Sequence, residues 1–183
     1  MPAPSTPLRI LILCTGNSAR SQIAEALLAT KGAGRFAAAS AGSRPAERVN
    51  PFAVRVLAEA GIDWRGKTPR GMDGLETEPW DFVITVCDRA RESCPYFPGQ
   101  PVLAHWGMPD PAEVEGDDDV KLAAFRDTLV TLSRRIDLLL GAGLEASPWK
   151  RHATLALRLL VLALVIVGLA RPQTGRSKHT TYS

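Results

Sequence analysis

The stretch that decides the fold is LRILILCTGNSARSQIAEALLATK, residues 8–31. Residues 8–13 are apolar except Arg9, which is typical of a short strand buried in a parallel sheet. From Ser21 to Lys31 the apolar residues recur at the spacing of an amphipathic helix. The stretch therefore predicts a strand, a Gly-containing loop and a helix. In an α/β fold such a loop lies at the carboxyl edge of the sheet, where ligands bind.

The loop from Cys14 to Ser21 has the residue types of an oxyanion site. A helix N-terminus and the N–H groups of the loop before it attract a tetrahedral anion. Arg20 can close this cradle with paired hydrogen bonds, and the same field is expected to lower the pKa of the Cys14 thiol. The residues predicted to bind the anion are Thr15, Gly16, Asn17, Ser18, Ala19, Arg20 and Ser21.

Three of these residues have further expected roles. Gly16 and Asn17 suit the strained or left-handed dihedrals of a tight loop, and Ser21 can donate to the sulfur or cap the helix. The alternative is that Cys14 is a buried cysteine at a strand end and Arg20 is a surface charge. The strand before the loop and the helix after it favour the anion site.

The other two cysteines, Cys87 and Cys94, enclose the segment CDRARESC. If this span were helical, the two sulfurs would lie about two turns apart, whereas a disulfide needs Cα atoms within about 7 Å. A disulfide between them therefore requires the span to unwind. The alternative is a pair of incidental cysteines in a strand-to-helix connection, but the presence of Cys14 favours a shared redox role for all three.

Strand and helix patterns alternate along the rest of the chain and predict one α/β domain at residues 8–140. The fold class expected is a doubly wound parallel sheet of about four strands with helices on both faces. Trp64 and Trp80 are assigned to packing. The predicted strands are Leu8–Leu13, Phe36–Ser40, Phe82–Val86 and Pro101–Ala104, and the predicted helices are Ser21–Lys31, Pro51–Ala60 and Val120–Leu140.

The charge of the chain is unevenly distributed. Six of the 22 basic residues and none of the 19 acidic ones lie in residues 147–183, which leaves 16 basic against 19 acidic residues, a net charge near −3, elsewhere. This distribution argues against a nucleic-acid surface on the domain.

The three cysteines do not form a secreted disulfide scaffold, and the three histidines are too scattered for zinc. Residues 1–7 are predicted to be disordered and carry no secretory signal, so we expect a cytoplasmic domain.

The C-terminal residues differ from the domain in composition. A linker is predicted at residues 141–152, a hydrophobic helix at 153–170 and a basic polar tail at 171–183. The helix is nearly long enough to span a membrane. Its eleven Leu, Ile and Val residues favour insertion by about 3 to 7 kcal/mol, against about 2.5 to 3.5 kcal/mol for a central arginine. Membrane contact at the inner face of the plasma membrane is expected; a helix packed on the domain or on a partner is the alternative.

Four separated segments carry a family resemblance. They are the loop from Cys14 to Ser21, SAG at residues 40–42, NPFAV at 50–54 leading to EAGID at 59–63, and HWGMPDPA at 105–112. Together they resemble the low-molecular-weight tyrosine phosphatase superfamily over residues 8–140. The pair Cys87 and Cys94, and Asp-Pro-Ala where phosphatases have Asp-Pro-Tyr, resemble its thioredoxin-coupled arsenate reductase branch. Ala19 stands where many relatives have another cysteine.

The resemblance implies a mechanism and a set of partners. Cys14 would attack arsenate held by the loop and Arg20, while Asp110 protonates the departing oxygen. Cys87 would then attack Cys14 and release arsenite, and Cys94 would take over the disulfide for reduction by thioredoxin. Phosphate would be a competing anion, and neither a cofactor nor a metal is implied. Two alternatives remain: a phosphatase that needs only Cys14, Arg20 and Asp110, and a non-catalytic oxyanion-binding module.

Overall fold

The computed structural model describes residues 6–92, 96, 97, 99 and 101–141. Four parallel strands form one sheet in the order β2-β1-β3-β4. The strands are β1 (Leu8–Cys14), β2 (Phe36–Gly42), β3 (Phe82–Thr85) and β4 (Val102–His105). The helices are α1 (Arg20–Gly32), α2 (Pro51–Glu59), α3 (Asp88–Glu92) and α4 (Asp118–Gly141), and two 3₁₀ turns span Leu75–Thr77 and Pro111–Glu113.

The predicted fold class is confirmed. The predicted strands and long helices all form, and their ends differ by one or two residues, the usual uncertainty of an element boundary. The sequence pattern did not predict α3 as a separate helix, because five residues are too few to show a helical repeat.

The core lies on both sides of the sheet. In β1, Ile10, Leu11, Ile12 and Leu13 are all buried, although successive side chains point to opposite faces. Helices α1, α2 and α4 contact one another in one layer, whereas α3 contacts β1 and β3. Because the crossovers β1–α1–β2 and β3–α3–β4 run in opposite directions, right-handedness places α1 and α3 on opposite faces.

Helix ends and indole groups follow local rules. Asn50 accepts a hydrogen bond from the Phe52 N–H and caps α2, with Pro51 at its first position. Asp117 accepts a hydrogen bond from the Val120 N–H and caps α4. Trp64 and Trp80 are buried in the core, as predicted.

Most of the residues at the two chain ends, for which the sequence made predictions, are not described by the structure. Positions 1–5 and 142–183 lie outside the described residues, and with them the hydrophobic segment 153–170, the basic tail and all of the predicted linker except Gly141, which ends α4. Among the helices that the structure describes, none has the length and apolar character needed to cross a membrane. The predictions made for the C-terminal segments stay predictions.

Candidate active site

The parallel register brings the proposed functional residues to one edge of the sheet. Cys14 ends β1 and lies opposite Gly42 at the end of β2, while Thr85 at the end of β3 lies opposite His105 at the end of β4. Cys87 follows β3 by two residues. The loops that leave these strands therefore meet at the carboxyl edge, which is where the sequence predicted the site.

The backbone of the loop after Cys14 is turned so that its N–H groups face inward. The carbonyls of Cys14, Thr15, Gly16 and Ser18 each accept a hydrogen bond from the chain at residues 43–50, at 2.8 to 3.2 Å. In a planar trans peptide the carbonyl and the following N–H point in opposite directions. The N–H groups that follow these carbonyls therefore converge on the inside of the loop. One of them, that of Asn17, donates to Cys14 Sγ at 3.1 Å.

Two residues make this tight loop possible. Asn17 adopts a left-handed conformation with φ of 46°, as expected for a residue type that tolerates it. Gly42 lies against the loop: a Cβ on it would lie 2.5 Å from the Thr15 carbonyl oxygen and 2.9 Å from the Asn17 nitrogen. The segment SAG at residues 40–42 therefore contributes a close backbone approach that only glycine allows. Gly16 does not adopt a left-handed conformation.

The side chain of Asn17 donates a hydrogen bond to the same Ser21 hydroxyl that contacts Cys14. Its Oδ1 accepts from the Arg70 backbone N–H at 2.9 Å, which can only donate, so its Nδ2 must face Ser21. Nδ2 donates to Ser21 Oγ at 3.0 Å. Ser21 Oγ lies 3.1 Å from Cys14 Sγ, and because a thiolate has no proton, Ser21 is the donor when Cys14 is ionised. Of the two roles expected for Ser21, the structure gives it the contact with sulfur, since no side chain caps α1.

A buried network that the sequence analysis missed holds Asn17 in place. Asn17 Nδ2 also donates to Ser40 Oγ at 2.7 Å, and Ser40 Oγ donates to Glu25 Oε2 at 2.6 Å. Gln22 Nε2 donates to Asn17 Oδ1 at 3.1 Å, and its own orientation is set by the indole N–H of Trp64 at 2.7 Å. Polar residues on the buried face of α1 were the available signal, because such groups need partners.

Burial controls the ionisation of Cys14. Loss of water around the buried sulfur raises the pKa of the Cys14 thiol, while the Ser21 hydroxyl and the Asn17 N–H lower it. The nearby Cys87 raises this pKa further and Arg20 lowers it, with the net result above the usual value. The predicted lowering of the Cys14 pKa is therefore wrong for this structure. The cradle donors reduce a desolvation penalty that the sequence pattern did not reveal.

Arg20 connects the loop to the segment that carries the proposed acid. We call residues 107–110, which follow β4, the acid loop. Arg20 Nη1 donates to the Met108 carbonyl at 3.0 Å, and Nη2 donates to the Asp110 carboxylate in a salt bridge. Asp110 also caps the following 3₁₀ turn by accepting from the Ala112 N–H at 3.1 Å. The guanidinium and the carboxylate are thus held at the same side of the site.

Cys87 lies next to the cradle. Its Sγ is 3.4 Å from Thr15 Oγ1, and both Cys87 and Cys14 are free and buried. Helix α3 begins at the next residue, Asp88. Asp88 Oδ1 is 3.1 Å from His105 Nε2, and His105 Nδ1 is 2.8 Å from Thr85 Oγ1, so the start of α3 is attached to the end of β4. Cys94 lies outside the described residues.

Four of the predicted catalytic residues surround one cavity of about 340 Å³. The described residues that line it are Cys14, Thr15, Gly16, Ser18, Ala19, Arg20, Cys87, Asp88, Arg89, Met108, Pro109, Asp110 and Glu113. Asn17 and Ser21 are fully buried behind the loop instead. Within the part of the chain that the structure describes, no three His, Cys, Asp or Glu side chains are grouped to hold a metal ion.

A cysteine in an amide cradle, an arginine at the helix start and an aspartate facing it define a class of enzymes that attack tetrahedral oxyanions with sulfur. Residues 9–147 match the family of low molecular weight phosphotyrosine protein phosphatases, and the chain belongs to this family. The resemblance seen in the sequence motifs is thereby confirmed.

Individual relatives agree with this assignment. The chain is 39% identical over 127 residues to an arsenate reductase of Halalkalibacterium halodurans, covering 69% of this chain and 91% of the relative. A solved arsenate reductase in the phosphate binding state is 28% identical, with a TM-score of 0.61 and coverage of 74% of this chain and 98% of the other. A thioredoxin-dependent arsenate reductase of Corynebacterium glutamicum is 26% identical, with a TM-score of 0.51 and coverage of 74% and 65%.

Proposed function

We propose that this protein reduces arsenate to arsenite with three cysteines in sequence. The observation that carries the proposal is the presence of a second thiol, Cys87, in the same cavity as Cys14, Arg20 and Asp110. Hydrolysis of a phosphomonoester needs only the last three residues. A second free thiol beside the nucleophile supports a reaction in which sulfur is oxidised. The arsenate reductases that the chain resembles are a further support.

The first step forms a bond between sulfur and arsenic. The inward N–H groups of the loop and Arg20 hold the arsenate oxygens, and the Cys14 thiolate attacks arsenic. One As–O bond breaks, and the oxygen leaves as water with a proton from Asp110. Ser21 and the Asn17 N–H stabilise the attacking thiolate before this step. Phosphate has the same shape and charge as arsenate and is therefore expected to compete for the cradle.

The second step transfers electrons from sulfur to arsenic. The Cys87 thiolate attacks Cys14 Sγ, the S–As bond breaks, and its electron pair stays with arsenic, which leaves as arsenite. Arsenic(V) is thus reduced by two electrons while two thiols become the Cys14–Cys87 disulfide. Thr15, whose Oγ1 lies 3.4 Å from Cys87 Sγ, holds this second sulfur beside the loop.

The third step returns Cys14 to its thiol form. Cys94 attacks Cys87, which frees Cys14 and leaves a Cys87–Cys94 disulfide for the dithiol of a thioredoxin-like protein to reduce. Cys94 follows Cys87 by seven positions, which would be about 10 Å along the axis if the whole span were an α-helix. A disulfide needs Cα atoms within about 7 Å, so a helical span would have to unwind during this step. No metal or organic cofactor takes part.

The dependence on a dithiol reductant favours a reducing compartment, and we place the domain in the cytoplasm. The hydrophobic segment 153–170 would anchor it to the inner face of the plasma membrane. This part of the proposal rests on the composition of that segment alone.

The deciding experiment compares two reactions in wild-type protein and in Cys87→Ala. Arsenate reduction is followed with thioredoxin, thioredoxin reductase and NADPH, and hydrolysis is followed with para-nitrophenyl phosphate. Wild-type protein should reduce arsenate over many turnovers. Cys87→Ala should lose that turnover but keep any phosphatase activity, because Cys14, Arg20 and Asp110 are unchanged.

Equal arsenate turnover in the two proteins would exclude the relay, and hydrolysis without any reduction would identify a phosphatase instead. Anion binding without either reaction would identify a binding module.

A further inference from the structure

A second cavity, of about 300 Å³, lies between the acid loop and α4. Its walls include Pro109, Pro111 and Val114 on one side and Ala124, Thr128 and Arg135 of α4 on the other. Met108, Pro109 and Asp110 line both this cavity and the one that contains Cys14. The acid loop is therefore a shared wall, and a molecule in the second cavity would contact the segment that carries Asp110.

Arg135 gives this mostly apolar cavity a distinct chemistry. Its Nη2 donates to the Gly107 carbonyl at 3.2 Å, so the guanidinium lies against the start of the acid loop. Its Nη1 is buried and has no hydrogen-bond partner. A buried charged donor without an acceptor is unfavourable, and native structures normally pair such groups. The free N–H of Arg135 is thus suited to donate a hydrogen bond to a ligand oxygen.

The charge, size and lining of the cavity indicate one class of ligand. A carboxylate is the strongest acceptor for a guanidinium, since the two groups can form charge-assisted hydrogen bonds. The proline and valine side chains of the opposite wall suit an apolar body. The volume is at the lower end of the range of about 300 to 1,000 Å³ for ligand pockets, which favours a small molecule.

Two other charged side chains line this cavity, Asp110 and Asp127, and neither is paired with Arg135. Asp110 forms its salt bridge with Arg20. Asp127 also belongs to α4 and lines the cavity, but it precedes Arg135 by eight residues. Two helix positions with that spacing are about 12 Å apart along the axis. Among the described residues, no hydrogen bond or salt bridge joins Asp127 to Arg135, so the unpaired Nη1 group is left for a ligand carboxylate.

We propose that this cavity binds a small organic carboxylate, with its carboxylate on Arg135 and its apolar part against Pro109, Pro111 and Val114. A ligand bound there would restrain the acid loop and with it Asp110. Occupancy of the cavity would thereby change the rate of the step in which Asp110 donates its proton. The effect on the reaction rests on the proposed function. Binding itself does not depend on that function.

The test uses benzoate and benzamide, which have nearly the same shape and differ in charge. Full-length protein is saturated with phosphate so that the Cys14 cradle is occupied, and binding is measured by isothermal titration calorimetry. Benzoate should bind at least about tenfold more tightly than benzamide, because only the carboxylate forms the charged pair. Arg135→Gln should weaken benzoate binding by about tenfold or more. The matched control is Arg134→Gln, at the exposed neighbouring arginine, which should change nothing.

A second variant keeps the test decisive if Arg135→Gln does not fold. Ala124→Phe fills the cavity from the α4 side and should abolish benzoate binding while leaving phosphate binding intact. Unchanged benzoate affinity in either variant, displacement of benzoate by phosphate, or no saturable benzoate binding would overturn the proposal. Because the measurement is binding, a protein that binds benzoate but does not reduce arsenate would overturn only the proposed function.

Discussion

The Ser21 hydroxyl lies 3.1 Å from the sulfur of Cys14 and donates to it when Cys14 is a thiolate, which has no proton of its own. This hydrogen bond is the largest contribution that lowers the pKa of Cys14 against the burial that raises it. A hydroxyl donor stabilises the thiolate and not the thiol. The proposed nucleophile therefore depends on a side chain that does not line the cavity.

Ser21→Ala is predicted to raise the pKa of the Cys14 thiol further. Only the thiolate reacts with iodoacetamide, and burial raises the pKa of the Cys14 thiol. In wild-type protein, the rate of Cys14 alkylation should therefore keep rising at pH values above the usual pKa of a thiol. In the variant the whole profile should shift to higher pH. The rate at each pH is measured by mass spectrometry of the Cys14 peptide. A profile that does not move would mean that Ser21 does not stabilise the thiolate.

Gly42→Ala is predicted to distort the cradle. The new methyl group would lie 2.5 Å from a backbone oxygen and 2.9 Å from a backbone nitrogen of the loop, neither of which can rotate away. We expect a loss of about 1 to 3 kcal/mol in the free energy of unfolding and weaker phosphate binding. Urea titration and calorimetry measure the two effects. Gly71→Ala, which meets nothing closer than 3.7 Å, is the control and should behave as wild type.

Asp110→Asn is predicted to slow the first chemical step by about 10² to 10⁴-fold, the usual contribution of a general acid. Asparagine keeps the shape of the side chain and can still accept from Arg20 and cap the 3₁₀ turn, so phosphate binding should change little. Single-turnover rates of arsenite formation measure the step. Asp88→Asn, which removes a carboxylate from the same cavity, should have a much smaller effect. Equal losses in both variants would assign the effect to general electrostatics.

Cys94→Ser is predicted to stop after one turnover. Cys87 can still attack Cys14 and release about one arsenite per protein molecule, but no third sulfur remains to free Cys14. Arsenite is quantified after mixing with excess arsenate and thioredoxin, and peptide mapping should find Cys14 joined to Cys87. Normal turnover of Cys94→Ser with thioredoxin would show that the reductant attacks the Cys14–Cys87 disulfide directly.

Local patterns in the sequence were sufficient to predict the fold and the position of the loop that forms the cradle. Alternating apolar strands and amphipathic helices predicted the four strands, and the parallel order placed Cys14 and the acid loop at one edge. The contacts that orient Asn17 were not predictable, because Gln22 meets Trp64 across 42 positions and Asn17 meets Arg70 across 53. Such pairs form only when the whole domain packs.

The ionisation of Cys14 was predicted in the wrong direction for a related reason. The loop and helix pattern revealed the donors that favour a thiolate, whereas the opposing desolvation depends on how closely the core encloses the sulfur. The second cavity likewise arises where the acid loop and α4 meet, and no single segment of the sequence encodes it.

The final prediction concerns the C-terminal residues. All the proposed catalytic residues lie between Cys14 and Asp110, and α4 completes the domain by residue 141. A protein truncated after Ala146 should therefore stay in solution and keep full arsenate turnover. The full chain should fractionate with membranes and resist extraction by salt or alkali, because an inserted apolar segment resists both and a merely basic one does not. Substitution of two central leucines of the segment, Leu160→Arg with Leu162→Arg, should release it. A full chain that needs no detergent would contradict the anchor, and a truncated chain that cannot fold would show that residues 153–170 pack on the domain.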